Sequence, residues 1–326
     1  MESYPRALQL DPAAYLTTPS LAWDAMKLMT GVKIELMTEH EQVQYVMKNI
    51  RGGLVQCNQH YAKANNKYME DFDSTEELSY IMQLDENNLY GCAMSLPIGE
   101  FHFLTPRSSQ LLTPRYVTHY RCLQQGVANG VVLRRIHSAL RFRQRVRIRP
   151  FIETNTRLRA VTGTKFEGNL PKLMSNSVYG KALENPEKRP KVHIVTRWRN
   201  VKQRLGAGVL IAKPTFDSVA IFTPSMAAVQ MTKSVIKYDR PSYAGFAVLE
   251  LSKYILYDFH YGYMVPKYGS KARVIYGDTD SLFYWVETDD FYADMKADID
   301  KYDTSNFSPD YPYGMPLVNK MLLWKM

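Results

Sequence analysis

RVIYGDTDSLFYWV, at residues 273 to 286, consists of two runs rich in β-branched and aromatic residues, parted by Gly277, Asp278, Thr279 and Asp280. Alternation on either side of a short polar break predicts two strands folded about a tight turn. Two carboxylates held in that turn repel each other, and no helix or core requirement places them there. A divalent cation offsets the cost. A purely structural Asp-Thr-Asp hairpin turn is the other reading of the same residues.

Working outward, SYIMQLD at 79–85 alternates and predicts a strand that ends on Asp85. The continuation, LDENNLYG at 84–91, sets that acid at the rim of a sheet with Leu89 and Tyr90 close by. An acid from a neighbouring strand would join Asp278 and Asp280 in an oxygen-rich set of the kind Mg²⁺ prefers. The third stretch, KLMSNSVYGK at 172–181, places Lys172, Asn176 and Tyr179 at helical spacing on one face. A cation, an amide and a ring then point into the same space, while a plain amphipathic helix would read alike. Gly168 and Pro171 predict a break just before Lys172, because proline lacks the backbone donor and clashes with the preceding turn. Gly52 and Gly53 follow Arg51 in a turn where backbone can approach a ligand closely. The mixed order of elements argues for α+β.

The 326 residues carry 41 Lys plus Arg against 32 Asp plus Glu, a formal net of +9, which favours a polyanionic partner. Between Glu100 and Glu153 there is no acid but ten arginines. Arg141, Arg143, Arg145, Arg147 and Arg149 alternate with other residues, so an extended strand would put all five guanidinium groups on one face. Such a row suits phosphates; a solvated edge strand guarded by its charges is the alternative. A second basic cluster runs from Lys181 to Arg204, and an acidic one from Glu287 to Asp310. Three cysteines, far apart and outside any CxxC spacing, suggest neither a disulfide framework nor a zinc site. Tyr243 to Val265 is interrupted by Glu250, Lys253 and Asp258 and reads as an amphipathic helix packed on a core, so no membrane partner is expected.

In order and spacing, LDENNLYG, KLMSNSVYGK and YGDTDSLFY resemble motifs A, B and C of family-B DNA polymerases, with the likeness greatest to the protein-primed branch of linear-genome viruses and Polinton/Maverick-type mobile elements. The resemblance implies a polymerase palm with an antiparallel sheet plus helical fingers. It makes Asp85 and Asp280 the carboxylates that bridge two Mg²⁺ ions, adds the Glu86 carbonyl as a further ligand, and leaves Asp278 as a supporting acid. Tyr90 and Leu89 would lie at the sugar, Lys172 at the triphosphate, and Asn176 and Tyr179 at the nascent base pair. Gly52, Gly53, Thr279 and the arginine row would meet DNA. The partners implied are a DNA primer-template, deoxynucleoside triphosphates and a terminal protein primer; a DNA-binding remnant without catalysis is the competing expectation.

Divided on that pattern, residues 1–50 form a connector, 51–100 palm with motif A, 101–150 an arginine-rich insertion and 151–185 fingers with motif B. Residues 186–240 form a basic insertion and connector, and 241–326 palm with motif C. Asn88 and Gly91 depart from the serine and proline usual in motif A, and Ile50 stands where an aromatic is usual before the glycine turn. The proline break sets Arg157, Arg159 and Lys165 aside from the triphosphate. No paired acids of a proofreading exonuclease precede motif A, and no lysine-tyrosine motif or thumb follows motif C, which is the pattern of a fragment.

Overall fold

Alternation along SYIMQLD and SLFYWV buries one side of each strand and leaves the other open. That pattern builds a four-stranded antiparallel sheet. The computed structural model describes residues 10–101, 116–137, 139, 142–199, 206–310 and 312–326. In chain order its principal elements begin with α1 (Thr18–Thr30), α2 (His40–Lys48), β1 (Val55–Cys57), β2 (Ser79–Asp85), α3 (Leu89–Ser95), β3 (Ile98–Phe101), α4 (Tyr120–Ala128) and β4 (Phe142–Arg145). There follow α5 (Arg149–Val161), α6 (Lys165–Ala182), β5 (Lys191–Val195), α7 (Ala207–Ile211), β6 (Phe216–Thr223) and β7 (Met226–Met231). The chain then forms α8 (Ser242–Phe259), α9 (Val265–Tyr268), β8 (Ala272–Asp278), β9 (Ser281–Glu287) and α10 (Phe291–Ala297). Mixed helix and antiparallel sheet make this an α+β fold, as expected from the order of patterns.

The chain divides into two compact units, one of 1–183 with 241–326 and one of 184–240. In the first, four antiparallel strands lie in the order β1-β8-β9-β2. Tyr80, Leu84, Leu282, Tyr284 and Val286 face the core, where α1, α3, α6 and α8 supply Met26, Met94, Met174, Val178 and Leu251. Ile81 and Gln83 project from the opposite, open face of β2, and so does Asp85 at its end. Helix α8 bears out the amphipathic reading: Val248, Leu251 and Ile255 are buried. It runs on through a π-helical turn at His260–Met264. No helix among the described residues is long and apolar enough to cross a membrane.

Two local expectations are corrected. Helix α6 runs unbroken from Lys165 through Gly168 and Pro171 to Ala182, with the Thr164 hydroxyl accepting from the Glu167 amide at 3.2 Å as its N-cap. Pro171, Met174 and Val178 are buried on it, and packing against α1 and α5 outweighs the missing donor. The arginine row is not one strand either. β4 ends at Arg145, and Arg149 opens α5, because Pro150 in the first helical turn has its φ already set for a helix. Arg141 lies outside the described residues, as do the side chains of Arg143 and Arg145.

The second unit is a three-stranded antiparallel sheet in the order β5-β7-β6. Helix α7 covers one face through Ala207 and Leu210 against Val229 and Met231.

Candidate active site

Asp85 ends β2 opposite Ser281, the residue that follows Asp280. The Glu86 amide donates to the Asp280 carbonyl at 2.9 Å, so backbone joins the two acid-bearing turns. Thr279, between the two acids, adopts φ +56° and its amide donates to the Leu54 carbonyl at 2.7 Å. Its hydroxyl donates to Asp278 Oδ1 at 3.0 Å. A Cβ on Gly53 would stand 3.0 Å from Thr279 Cγ2, so the glycine permits this close approach. Sheet order thus brings Gly53, Thr279, Asp278, Asp280 and Asp85 to one rim.

Burial pushes the Asp85 carboxyl up to about 6, with repulsion from Asp280 adding to it and the charges of Lys172 and Arg159 opposing it. Asp280 is raised as well, first by desolvation and also by Asp278, against the pull of Lys172. Two carboxylates that cost free energy to ionise, with cations across from them, form a site that favours added positive charge. Glu86 differs in kind. Its side chain is buried, burial drives its carboxyl up to about 7, and Cys92 Sγ approaches Oε1 at 3.3 Å. Only its backbone is placed to serve the rim.

From α6, Lys172, Asn176 and Tyr179 share the side opposite buried Met174 and Val178. The Tyr179 ring stacks on Tyr90 of α3, with centroids 4.2 Å apart and planes 13° apart. Leu89, by contrast, is in the core and 2% exposed, so its side chain is not offered to a ligand. A small cavity is lined by Asn87, Asn88, Thr156, Arg159, Lys172 and Met321, among others. Thr156 Oγ1 is buried with no hydrogen-bond partner among the described residues. Arg159 comes from α5, lines this cavity with Lys172, and its charge acts on Asp85. Arg159 is one of the residues that the expected break at Pro171 had set aside, and nothing in the sequence marked Met321.

Asn88 and Gly91 form one unit. Asn88 takes φ +56°, and a Cβ at residue 91 would fall 2.2 Å from Asn88 Nδ2. The asparagine folds over the first turn of α3, and only glycine leaves room for it. Of the arginine row, Arg149 is engaged with Glu153 at 2.7 Å. Arg189 of the second cluster pairs with Glu184 at 2.6 Å and Asp239 at 3.2 Å.

Among solved structures, one match joins this arrangement to a known fold. It is phi29 DNA polymerase complexed with primer-template DNA in a post-translocation binary complex, at 15% identity and TM-score 0.51, covering 97% of this chain and 53% of that one. The fold is similar to that of phi29 DNA polymerase. The ternary complex of phi29 polymerase with primer-template and incoming nucleotide matches at 15% identity and TM-score 0.43, over 82% of this chain and 48% of that one. This chain spans about half the length of the phi29 polymerase chains. No family model and no curated protein matches it.

Among the described residues no group of three or more His, Cys, Asp or Glu side chains could hold a metal ion. Asp85 and Asp280, joined through the Glu86 amide, make a partial, all-oxygen set. Mg²⁺ commonly binds through one or two carboxylates, its remaining positions filled by water and substrate phosphate, so these residues fit it.

Proposed function

We propose that the chain is the palm-and-fingers portion of a DNA-directed DNA polymerase that adds deoxynucleotides to a primer 3′-hydroxyl. The observation that carries this reading is the convergence of Asp85 and Asp280, from adjacent strands, with Lys172 and Arg159 across from them. A triphosphate needs both signs of charge at once: carboxylates to hold cations, and cations to hold phosphate.

Lys172 and Arg159 would hold the triphosphate. Tyr90 and Tyr179 would present a stacked wall to the sugar and base, with Asn176 on the same helical face. Asp85, Asp280 and the Glu86 carbonyl would hold two Mg²⁺ ions, whose chemistry when bound is to favour the ionised 3′-hydroxyl and neutralise the departing pyrophosphate. Asp278 would set the turn through its bond from Thr279. Gly52, Gly53, Thr279 and the arginine segment would meet DNA. The finer assignment, to a protein-primed polymerase of the Polinton/Maverick or linear-genome virus kind, rests on the motif resemblance and adds a terminal protein hydroxyl as an acceptor.

Primer extension with Mg²⁺ tests the reading. The chain should extend a primed template, and Asp280→Asn should reduce extension to background. Salt-sensitive DNA binding without extension would replace it with the remnant reading.

A further inference from the structure

We propose that Asp303 is a positioning residue for the Asp85 turn, holding the loop that presents the metal-binding groups; this rests on the polymerase reading above. Asp303 Oδ1 serves its own neighbourhood, accepting from the Ser305 amide at 3.0 Å and the Ser305 hydroxyl at 2.6 Å. Oδ2 reaches much farther along the chain. It accepts from Asn87 Nδ2 at 2.7 Å and from the Met321 amide at 2.7 Å. One oxygen therefore ties the residue two beyond Asp85 to a residue that lines the Lys172–Arg159 cavity.

The backbone repeats this connection. The Asn87 amide donates to the Lys325 carbonyl at 2.9 Å, and the Asp303 amide to the Met326 carbonyl at 2.7 Å. The Trp324 amide approaches Cys92 Sγ at 3.3 Å, the same sulfur that touches Glu86. Glu86 is thus fixed toward Asp280 by its own amide, and Asn87 is fixed toward 321–326 by its amide and side chain. The carbonyl of Glu86 lies between these two anchors. A loop that must offer a carbonyl at metal distance needs its peptide plane fixed, and a carboxylate accepting two donors at 2.7 Å supplies that restraint.

Metal affinity tests this directly, measured by Tb³⁺ luminescence with Mg²⁺ competition on the purified full chain, alongside primer extension and thermal unfolding. Asp303→Ala should weaken Mg²⁺ binding about 10-fold or more, the scale seen when a group that orients a ligand is lost. Asn87→Ala should do the same, and the double variant should be no weaker than either single one. Asp303→Asn keeps one acceptor oxygen and should fall between Asp303→Ala and the natural chain. Ser305→Ala, which removes only the local bond, should bind as the natural chain does. Wild-type affinity in a folded Asp303→Ala variant, or an equal loss in Ser305→Ala, overturns the proposal; should Asp303→Ala not fold, Asn87→Ala and Asp303→Asn decide it in the same way. Should Asp280→Asn lower affinity while Asp303→Ala and Asn87→Ala do not, only the positioning role fails. Should the natural chain bind no metal, the polymerase reading fails and takes this proposal with it.

Discussion

At Asp85 the fold accepts an electrostatic cost. Its folded carboxyl titrates near 6, above the ordinary 3.8, so between those values the folded state holds more protons than the unfolded one. Stability contributed by this group is therefore present below about pH 4 and lost as pH rises through 6. Asp85→Asn should raise the melting temperature at pH 7 to 8, with the gain vanishing below pH 4. For a group that solvent reaches, the discounted gain is on the order of 1 kcal/mol, or about 1 to 2 °C for a chain of this length. A melting temperature unchanged or lowered at pH 8 would show that the acid is not repelled at its site. Gly91→Ala meets the opposite fate. Alanine is the better helix former by about 1 kcal/mol, but its methyl would overlap Asn88 at 2.2 Å. A net loss of about 1 to 2 kcal/mol is expected, read as a lower urea midpoint at unchanged slope.

Among the elements, Gly245 tests how α8 crosses the end of α6. A Cβ there would come within 2.5 Å of Leu183 Cγ and 3.3 Å of the Leu183 amide nitrogen. Gly245→Ala should therefore destabilise by about 1 to 2 kcal/mol despite its better helix propensity, and Leu183→Ala in the same chain should recover part of that loss. Additive losses in the double variant would contradict the close crossing. The β8–β9 hairpin was legible because Leu282, Tyr284 and Val286 alternate with partly exposed neighbours. Its partnership with β2 was not, since period two marks a face and carries no label for the strand beside it. Pro171 reads as a stop in one dimension, yet α1 and α5 hold α6 together around it. The alternation of Arg141 to Arg149 likewise runs past the end of β4 at Arg145 and into the first residue of α5, Arg149. In the second unit, β6 is exposed along nearly its whole length, so no buried stripe betrays it in the sequence. The acids were legible as residue types; their coming under the charges of Lys172 and Arg159 depends on packing between segments far apart in the chain.

On the scale of the molecule, charge and architecture divide differently. Residues 184–240 contain eleven Lys plus Arg and four Asp plus Glu, a net of +7, which leaves +2 of the chain's +9 for the unit that carries Asp85 and Asp280. Among the described residues the main core draws none from 184–240, and Leu183 approaches Gly245, so the two segments of the first unit end near each other. Replacing 184–240 by a short glycine-serine linker should leave the first unit folded, with its α+β circular dichroism and a cooperative transition. The consequence for nucleic acid follows from counterion release, in which each phosphate neutralised adds about 0.9 to the slope of log K against log[salt]. Arg189 and Arg240 are already paired with Glu184 and Asp239, so fewer than eleven cations are available to phosphates. The deletion should lower that slope by about 3 to 5 and weaken binding most at low salt. Mg²⁺ affinity at Asp85 and Asp280 should stay as it was, because Gly53, Asp85, Asp278, Thr279 and Asp280 all belong to the first unit. A slope changed by less than about 1 would mean that the +7 unit faces something other than DNA, and that the first unit grips the duplex on its own.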